Sequence, residues 1–165
     1  MESIQTPKGF LAQGFHGAVK KRGLDTAILH STHPVSSAGM LTSNRVRAAC
    51  VDWNRELLGQ DVRGILINSG NANACTGSRG QEDSLRLAQT LARCLESDPK
   101  KIFLASTGVI GVPLPIDDMC RAIEKHCKPQ QSPTAFADAA EAIMTTDTVP
   151  KICLLYTSPS PRDRT

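Results

Sequence analysis

Two short apolar runs each end in small, polar, glycine-rich residues, and this repeated pattern constrains the fold more than any other feature of the sequence. The run at residues 64–67 leads into residues 68–77, which read NSGNANACTG. The run at residues 101–105 leads into residues 106–111, which read STGVIG. Side chains this small cannot build a core, but they leave the main chain free to approach a ligand closely. We therefore expect both stretches at neighbouring strand ends, forming a functional site.

The surrounding pattern alternates strands with helices. Strands are predicted at residues 25–30 and 37–42 and before each glycine-rich stretch. Helices are predicted at residues 51–58, from Ser78 to the Asp98-Pro99 pair, from Pro115, and from the Ser132-Pro133 pair. This order favours an α/β fold in which helices cover the faces of a sheet.

Three of these helices have defined apolar faces. In the helix from Ser78, this residue is the expected N-cap and Gln81 completes a capping box. The buried stripes follow the helical period. We expect them to comprise Leu85, Ala88, Leu91, Ala92 and Leu95 in the first helix, Met119, Ile123 and Cys127 in the second, and Phe136, Ala139, Ala140 and Ile143 in the third.

Composition excludes several functional classes. A hydrophobic content of 40% and a charged content of 21% are typical of globular proteins. With a net charge of +3, one Trp and one Tyr, the chain has little for binding nucleic acid, so no such partner is expected. No apolar run is long enough for a signal peptide or a membrane span, which predicts a cytoplasmic protein without a membrane partner.

The six cysteines are scattered without paired spacing, so in a reducing compartment we expect free thiols. Cys120 and Cys127 lie seven residues apart beside His126. Their neighbourhood offers too few further ligands for a metal ion, so we expect a buried helix face and no metal site.

The composition changes after Lys151. Residues 152–156 are apolar, and residues 157–165 are rich in proline and arginine without periodicity. We predict one domain over residues 1–151 and a disordered tail over residues 152–165. The tail is either a natural flexible terminus or, as we prefer, translated adapter or vector sequence unrelated to the domain.

Four stretches together resemble one known family. They are residues 7–10 (PKGF), 68–77 (NSGNANACTG), 106–111 (STGVIG) and 142–151 (AIMTTDTVPK). Over about residues 7–151 the chain resembles the ornithine acetyltransferases, the bifunctional glutamate N-acetyltransferases of arginine biosynthesis. The ten-residue stretch of unusual composition makes this resemblance specific.

The resemblance implies an acyltransferase with an α-β-β-α sandwich fold, of which this chain is a truncated part. Members of the family make a precursor that cleaves itself before a threonine, leaving two associated chains, and the complete enzyme is expected to be oligomeric. The freed threonine takes the acetyl group of N-acetylornithine and passes it to glutamate, giving ornithine and N-acetylglutamate. No cofactor is implied, although some members also accept acetyl-coenzyme A as the acetyl donor.

The resemblance also assigns roles to residues of this sequence. Thr107 and Gly108 correspond to the oxyanion hole, and a hydroxyl beside an unobstructed backbone N–H is by itself a suitable donor pair. Thr145 corresponds to a substrate-contacting threonine. Asn71 and Asn73 are expected to support the loops by hydrogen bonds to backbone. As alternatives, Gly108 serves only a tight turn, and Thr145 only bonds its own backbone at a helix end.

The nucleophilic threonine of the family and its substrate-binding lysine have no counterpart up to Lys151. Thr157 and Thr165 stand in the wrong context for that role. We therefore expect no nucleophile in this chain and no activity from it alone, and the alternative is a non-catalytic fragment that binds an amino acid or acyl group. A cysteine hydrolase with Cys75 as nucleophile, and His16, His30 or His33 as base, is a further alternative without a recognisable partner context.

Overall fold

The computed structural model describes residues 7–127 and 134–153. Its architecture is α/β, as the sequence predicts. In chain order the elements are β1 (Phe10–Phe15), β2 (Thr26–Ser36), α1 (Ala49–Leu57), β3 (Asp61–Asn71), α2 (Ser78–Cys94), a turn of 3-10 helix (Pro99–Lys101), β4 (Ile102–Val109), α3 (Ile116–His126) and α4 (Ala135–Ala142).

The strands form one four-stranded sheet in the order β1-β2-β3-β4. The first two pairings are antiparallel, and β3 pairs with β4 in parallel. A parallel neighbour requires a crossover, which here is made by α2. Since β3 and β4 run in the same direction, their C-terminal ends lie side by side, and both predicted glycine-rich stretches begin there.

Helices cover both faces of the sheet. Helices α1, α2 and α3 pack on one face, and their core includes Ile28, Leu66 and Ile102 from the strands with Leu91 and Met119 from the helices. Helix α4 packs on the opposite face through a smaller cluster that comprises Ala12, Ala27, Ala139 and Ala142. A Cβ at Gly14 of β1 would lie 2.1 Å from the carbonyl oxygen of Asp138, so only glycine permits this close approach.

Two strand predictions differ from the structure. Strand β1 was not predicted, and the strand expected at residues 37–42 is absent because this segment is irregular. The side chain of Met40 in that segment is 99% exposed. The segment has no neighbouring strand and no buried side chain, so an extended conformation would not be stabilised by hydrogen bonds between strands or by side-chain packing.

The details of α2 also differ from the prediction. Gly77 is the N-cap, with a φ of 64°, and no side chain caps the helix, so the expected capping box is wrong. The chain turns at Gly77, and Ser78 becomes the first helical residue. The buried stripe runs through Leu87, Ala88 and Leu91, whereas Leu85 is 41% exposed. Leu85 instead lines a groove between α1 and α2.

The buried residues predicted for α3 agree with the structure, and those predicted for α4 agree in part. In α3, Met119, Ile123 and Cys127 are buried as predicted. In α4, Ala139 is buried, but Ile143 is 42% exposed because the helix has already ended at Ala142. The cap predicted at Ser132-Pro133 and the tail beyond Cys153 lie outside the described residues.

A disulfide joins Cys94 to Cys127. The expectation that all cysteines are free thiols is therefore wrong for this pair. The two residues are 33 positions apart in sequence, but α2 and α3 pack side by side and bring their Cα atoms within 5.8 Å. Cys50, Cys75, Cys120 and Cys153 are free.

Helix α1 closes the free edge of β4. The side-chain amide of Asn54 donates to the carbonyl of Leu104 at 2.7 Å and accepts from the N–H of Leu104 at 2.9 Å. The indole N–H of Trp53 donates to the carbonyl of Ile102 at 2.9 Å. Asn54 thus takes the place of a neighbouring strand at Leu104, and this part of the edge is not open to pairing with another chain.

We expect Asn54→Ala to destabilise the domain by about 1–3 kcal/mol, because it removes both partners of Leu104. Urea denaturation gives the free energy of unfolding. Gln89→Ala, an exposed change on α2, is the control and should stay within about 0.5 kcal/mol of the unsubstituted protein. Equal stability of the two variants would show that the edge contact contributes nothing.

Candidate functional site

The parallel pairing of β3 with β4 builds the site. Asn68 lies opposite Ser106, Ser69 opposite Thr107, and Gly70 opposite Gly108. The first residues of each predicted loop are thus the last paired residues of a strand. The prediction that the two stretches occupy neighbouring strand ends is confirmed.

Gly70 and Gly108 bring the two main chains unusually close. Their φ angles are 107° and 133°, a region that side chains other than glycine rarely adopt. A Cβ on Gly108 would lie 2.3 Å from the carbonyl carbon of Gly70 and 2.5 Å from the nitrogen of Asn71. The register shifts at this point, as in a β-bulge. Thr107 and Gly108 are both exposed there, so a ligand can reach them.

Hydrogen bonds from polar side chains in the interior fix this strand end. The hydroxyl of Ser106 donates to Oδ1 of Asn68 at 2.7 Å, and Nδ2 of Asn68 donates to the carbonyl of Asn71 at 2.8 Å. Asn68 is 2% exposed. Sequence reasoning did not single out Asn68 or Ser106, because their importance depends on the cross-strand register.

Asn71 and Asn73 continue the chain of hydrogen bonds. Nδ2 of Asn71 donates to the carbonyl of Val112 at 2.9 Å, and its Oδ1 accepts from the N–H of Asn73 at 2.8 Å. Nδ2 of Asn73 donates to the carbonyl of Gly80 at 3.0 Å and to the hydroxyl of Ser84 at 3.1 Å. The strand end is thereby linked to the first turns of α2. These bonds are of the kind expected for a supporting role, which stays a prediction.

Thr145 follows α4 and is exposed. The segment that carries it is fastened to the same strand end. The hydroxyl of Ser69 donates to the carbonyl of Ala142 at 2.5 Å, and Nζ of Lys20 donates to the carbonyl of Met144 at 2.7 Å. Because Ser69 lies opposite Thr107, the structure brings the three predicted site residues Thr107, Gly108 and Thr145 to one region.

The loop before β2 is organised by Asp25, which is 0% exposed. Its carboxylate accepts from the N–H groups of Gly17 at 2.5 Å, Val19 at 2.9 Å and Lys20 at 2.8 Å. Its own carbonyl accepts from the N–H of Ser69 at 2.8 Å. A buried carboxylate satisfied in this way fixes the loop against β3. The hydroxyl of Thr26 also donates to this carboxylate at 3.0 Å, and Nδ1 of His16 lies 3.3 Å from it. Sequence reasoning missed Asp25, since the three partners that fix the loop are main-chain groups.

The thiols near the site do not suit nucleophilic chemistry. Burial raises the pKa of the Cys50 thiol, although contacts with Ser106 lower it in part. Cys75 is exposed, but among the described residues no hydrogen bond joins it to a histidine. His16 is held by the carbonyl of Gly23 at 2.9 Å, and Nδ1 of His30 lies 3.3 Å from the carbonyl of Ser31. This arrangement does not favour the cysteine hydrolase alternative.

Within residues 7–127 and 134–153, no group of three or more histidine, cysteine or acidic side chains is arranged to hold a metal ion. None of the helices in these ranges combines the length and apolar character needed to cross a bilayer.

Comparison with known proteins identifies relatives of the chain. Residues 11–161 match the ArgJ family. The chain is 42% identical, over 147 residues, to the arginine biosynthesis bifunctional protein ArgJ of Caldanaerobacter subterraneus subsp. tengcongensis, covering 88% of this chain. It is 43% identical to the protein of the same name from Gloeobacter violaceus over 153 residues, covering 91% of this chain.

Two solved structures of proteins with these functions in their names also superpose on the chain. The ornithine acetyltransferase of Mycobacterium tuberculosis, solved in complex with ornithine, superposes with a TM-score of 0.82 at 35% identity, covering 87% of this chain and 79% of that one. The bifunctional protein ArgJ of Bacillus halodurans gives a TM-score of 0.81 at 36% identity, covering 86% of this chain and 75% of that one.

The chain spans only part of its curated relatives. It covers 36% of the length of the Caldanaerobacter protein and 37% of the Gloeobacter protein. The match to the family extends ten residues past Lys151, to residue 161. The division of the chain at residue 151 stays a prediction.

We expect Asn73→Gly to lower the free energy of unfolding by about 1–3 kcal/mol, because it removes the two buried hydrogen bonds that Nδ2 of Asn73 donates to Gly80 and Ser84. Cys75→Gly is the matched control. Cys75 also has a left-handed backbone, with φ 57° against 48° for Asn73, but its side chain is exposed. Thermal unfolding should therefore show a lower melting temperature for Asn73→Gly than for Cys75→Gly. An equal shift would mean that backbone conformation, not the side-chain network, decides the stability of this loop.

Proposed function

The chain belongs to the ArgJ family, and from this membership we propose that it supplies the oxyanion-binding strand end and part of the substrate site of an acyltransferase of arginine biosynthesis. The single observation that carries the proposal is the register that places Ser69 and Gly70 opposite Thr107 and Gly108. The hydroxyl of Thr107 and the unobstructed main chain at Gly108 are thereby exposed at the ends of two paired strands.

The proposed reaction moves an acetyl group from N-acetylornithine to glutamate. A hydroxyl nucleophile adds to the acetyl carbonyl, and the carbonyl oxygen gains negative charge in the tetrahedral intermediate. Collapse breaks the bond to nitrogen, and ornithine leaves with the proton that the hydroxyl gave up. The amine of glutamate then attacks the acetyl-enzyme, the bond from the acetyl carbon to the nucleophile's oxygen breaks, and the amine's proton returns to that oxygen as N-acetylglutamate leaves. Both transfers pass through an oxyanion, so the same donors serve both.

Thr107 and Gly108 are the proposed donors to that oxyanion. Thr107 offers its hydroxyl, and Gly108 offers its N–H without a side chain to obstruct it. Preorganised donors stabilise the transition state because they need no reorganisation when charge develops. The hydrogen bonds from Ser106 through Asn68 to Asn71 supply that preorganisation beneath the strand end.

Thr145 is the proposed contact to the substrate. It is exposed, and the carbonyls of Ala142 and Met144 tie its segment to Ser69 and Lys20. The M. tuberculosis ornithine acetyltransferase was solved in complex with ornithine, which supports an amino acid of this class as ligand.

The nucleophile is proposed to come from a further part of a longer protein, as the threonine that begins the second chain. The sheet offers this partner an apolar surface. A pocket of about 350 Å³ on the α4 side is lined largely by apolar residues, among them Phe10, Leu29, Ile65 and Phe136. Phe10 is 42% exposed. A second layer of the sandwich would cover this surface, and the complete enzyme is proposed to be an oligomer.

No cofactor is proposed. Acyl transfer between two amines changes no oxidation state, and an oxyanion hole supplies the polarisation that the carbonyl needs. Acetyl-coenzyme A as a second acetyl donor stays a prediction.

In the full-length protein that carries these residues, we expect Thr107→Ala to lower kcat by about 100–1,000-fold, the usual effect of losing one oxyanion donor. KM should change little, because the donor acts chiefly in the transition state. Steady-state kinetics with N-acetylornithine and glutamate gives both constants. Thr32→Ala, on the exposed part of β2, is the control and should leave both constants unchanged. A raised KM at constant kcat would reassign Thr107 to substrate binding.

Residues 1–165 alone should transfer no acetyl group. After incubation with N-acetylornithine, intact-mass spectrometry should show one uncleaved and unacetylated chain, since this part of the protein is proposed to lack the nucleophile. An acetylated chain would contradict this part of the proposal. Titration calorimetry on the same sample distinguishes a fragment that binds N-acetylornithine from one that does not.

A further inference from the structure

Lys20 occupies a fixed position beside the candidate site. Its backbone N–H donates to Oδ2 of Asp25 at 2.8 Å, so the buried carboxylate that organises this loop also sets the start of the Lys20 side chain. The stem then passes over the end of β3. A Cβ on Gly70 would lie 3.0 Å from Cγ of Lys20, and Gly70 is the partner of Gly108. Lys20 therefore lies directly against the strand end.

The ammonium group of Lys20 reaches the segment after α4. It donates to the carbonyl of Met144 at 2.7 Å, across 124 positions in sequence. Helix α4 ends at Ala142, and a cation near a helix C-terminus is favoured both by the exposed carbonyls and by the helix dipole. This charge-assisted bond lies next to Thr145.

We propose that Lys20 is a positioning residue for the reaction, setting Thr145 at a fixed distance from Thr107 and Gly108. The inference rests on the proposed function. Lys20 connects the three parts that must stay in register: the loop held by Asp25, the strand end at Gly70, and the Thr145 segment. The hydroxyl of Ser69 supplies a second attachment two residues earlier, at the carbonyl of Ala142.

Loss of an oxyanion donor such as Thr107 and loss of a substrate contact such as Thr145 should change different kinetic constants. Thr107 acts in the transition state, so its loss lowers kcat. Thr145 contacts the substrate in the ground state and in the transition state alike, and losing such a contact raises KM with little change in kcat. A residue that acts through Thr145 should have the same signature as Thr145.

Lys20→Met tests this in the full-length protein that carries these residues, because it keeps the packed stem and removes the ammonium group. We expect KM for N-acetylornithine to rise about tenfold, with kcat within about twofold, as for the loss of one charge-assisted hydrogen bond. Lys20→Arg keeps a donor and should recover most of the loss. The control is Lys21→Met, a change at the exposed neighbouring lysine, which should leave KM unchanged.

A double-mutant cycle separates positioning from a general structural effect. If Lys20 acts through Thr145, then Lys20→Met should have no further effect on KM in a Thr145→Ala background. Hydrogen exchange on the same proteins should show faster exchange at residues 143–147 in Lys20→Met, with α2 unchanged. Additive effects in the cycle, or unchanged exchange at residues 143–147, would overturn the inference.

The outcomes also separate this inference from the proposed function. If the unsubstituted full-length protein transfers no acetyl group, the proposed function fails and the inference fails with it. If that protein is active and Lys20→Met leaves KM for N-acetylornithine unchanged, only the role of Lys20 is refuted.

Discussion

The close parallel approach of β3 and β4 at Gly70 and Gly108 is the constraint on which the rest of the site depends. A β-carbon at Gly108 would overlap the main chain of β3, and Gly70 has a φ of 107°, which side chains other than glycine rarely adopt, so the close approach depends on glycine at both positions. This approach places Thr107 opposite Ser69, and Ser69 in turn holds the end of α4. One contact between two glycines thereby sets the relative positions of Thr107, Gly108 and Thr145.

Hydrogen bonds rather than apolar packing make this region rigid. The chain from Ser106 through Asn68, Asn71 and Asn73 to α2 lies largely in the interior, where each amide has protein partners. A buried polar group left without a partner is costly, so a network of this kind holds one conformation when it is complete. A preorganised site has the same requirement, since donors that must move when charge develops contribute less to catalysis.

The sequence predicts the parts of this fold that depend on local pattern. The helical period located α3 and the stripe of Met119 and Ile123, and the small residues after two apolar runs located the neighbouring strand ends. It could not predict contacts that exist only after folding. The bond from Lys20 to Met144, the disulfide from Cys94 to Cys127 and the pairing of Asn54 with Leu104 join residues far apart in sequence. Asp25 was not predicted for another reason: the three donors by which it fixes the loop are main-chain N–H groups, which every residue type except proline carries.

The most direct test is a crystal structure of the full-length protein that carries these residues, bound to an analogue of N-acetylornithine in which a tetrahedral, negatively charged group replaces the acetyl carbonyl. An oxygen of that group should lie about 2.7–3.1 Å from the hydroxyl of Thr107 or the N–H of Gly108, the spacing of an oxyanion donor. Thr145 should contact the same ligand while Lys20 remains bonded to Met144. A tetrahedral group bound with all its oxygens away from both Thr107 and Gly108 would contradict the central claim.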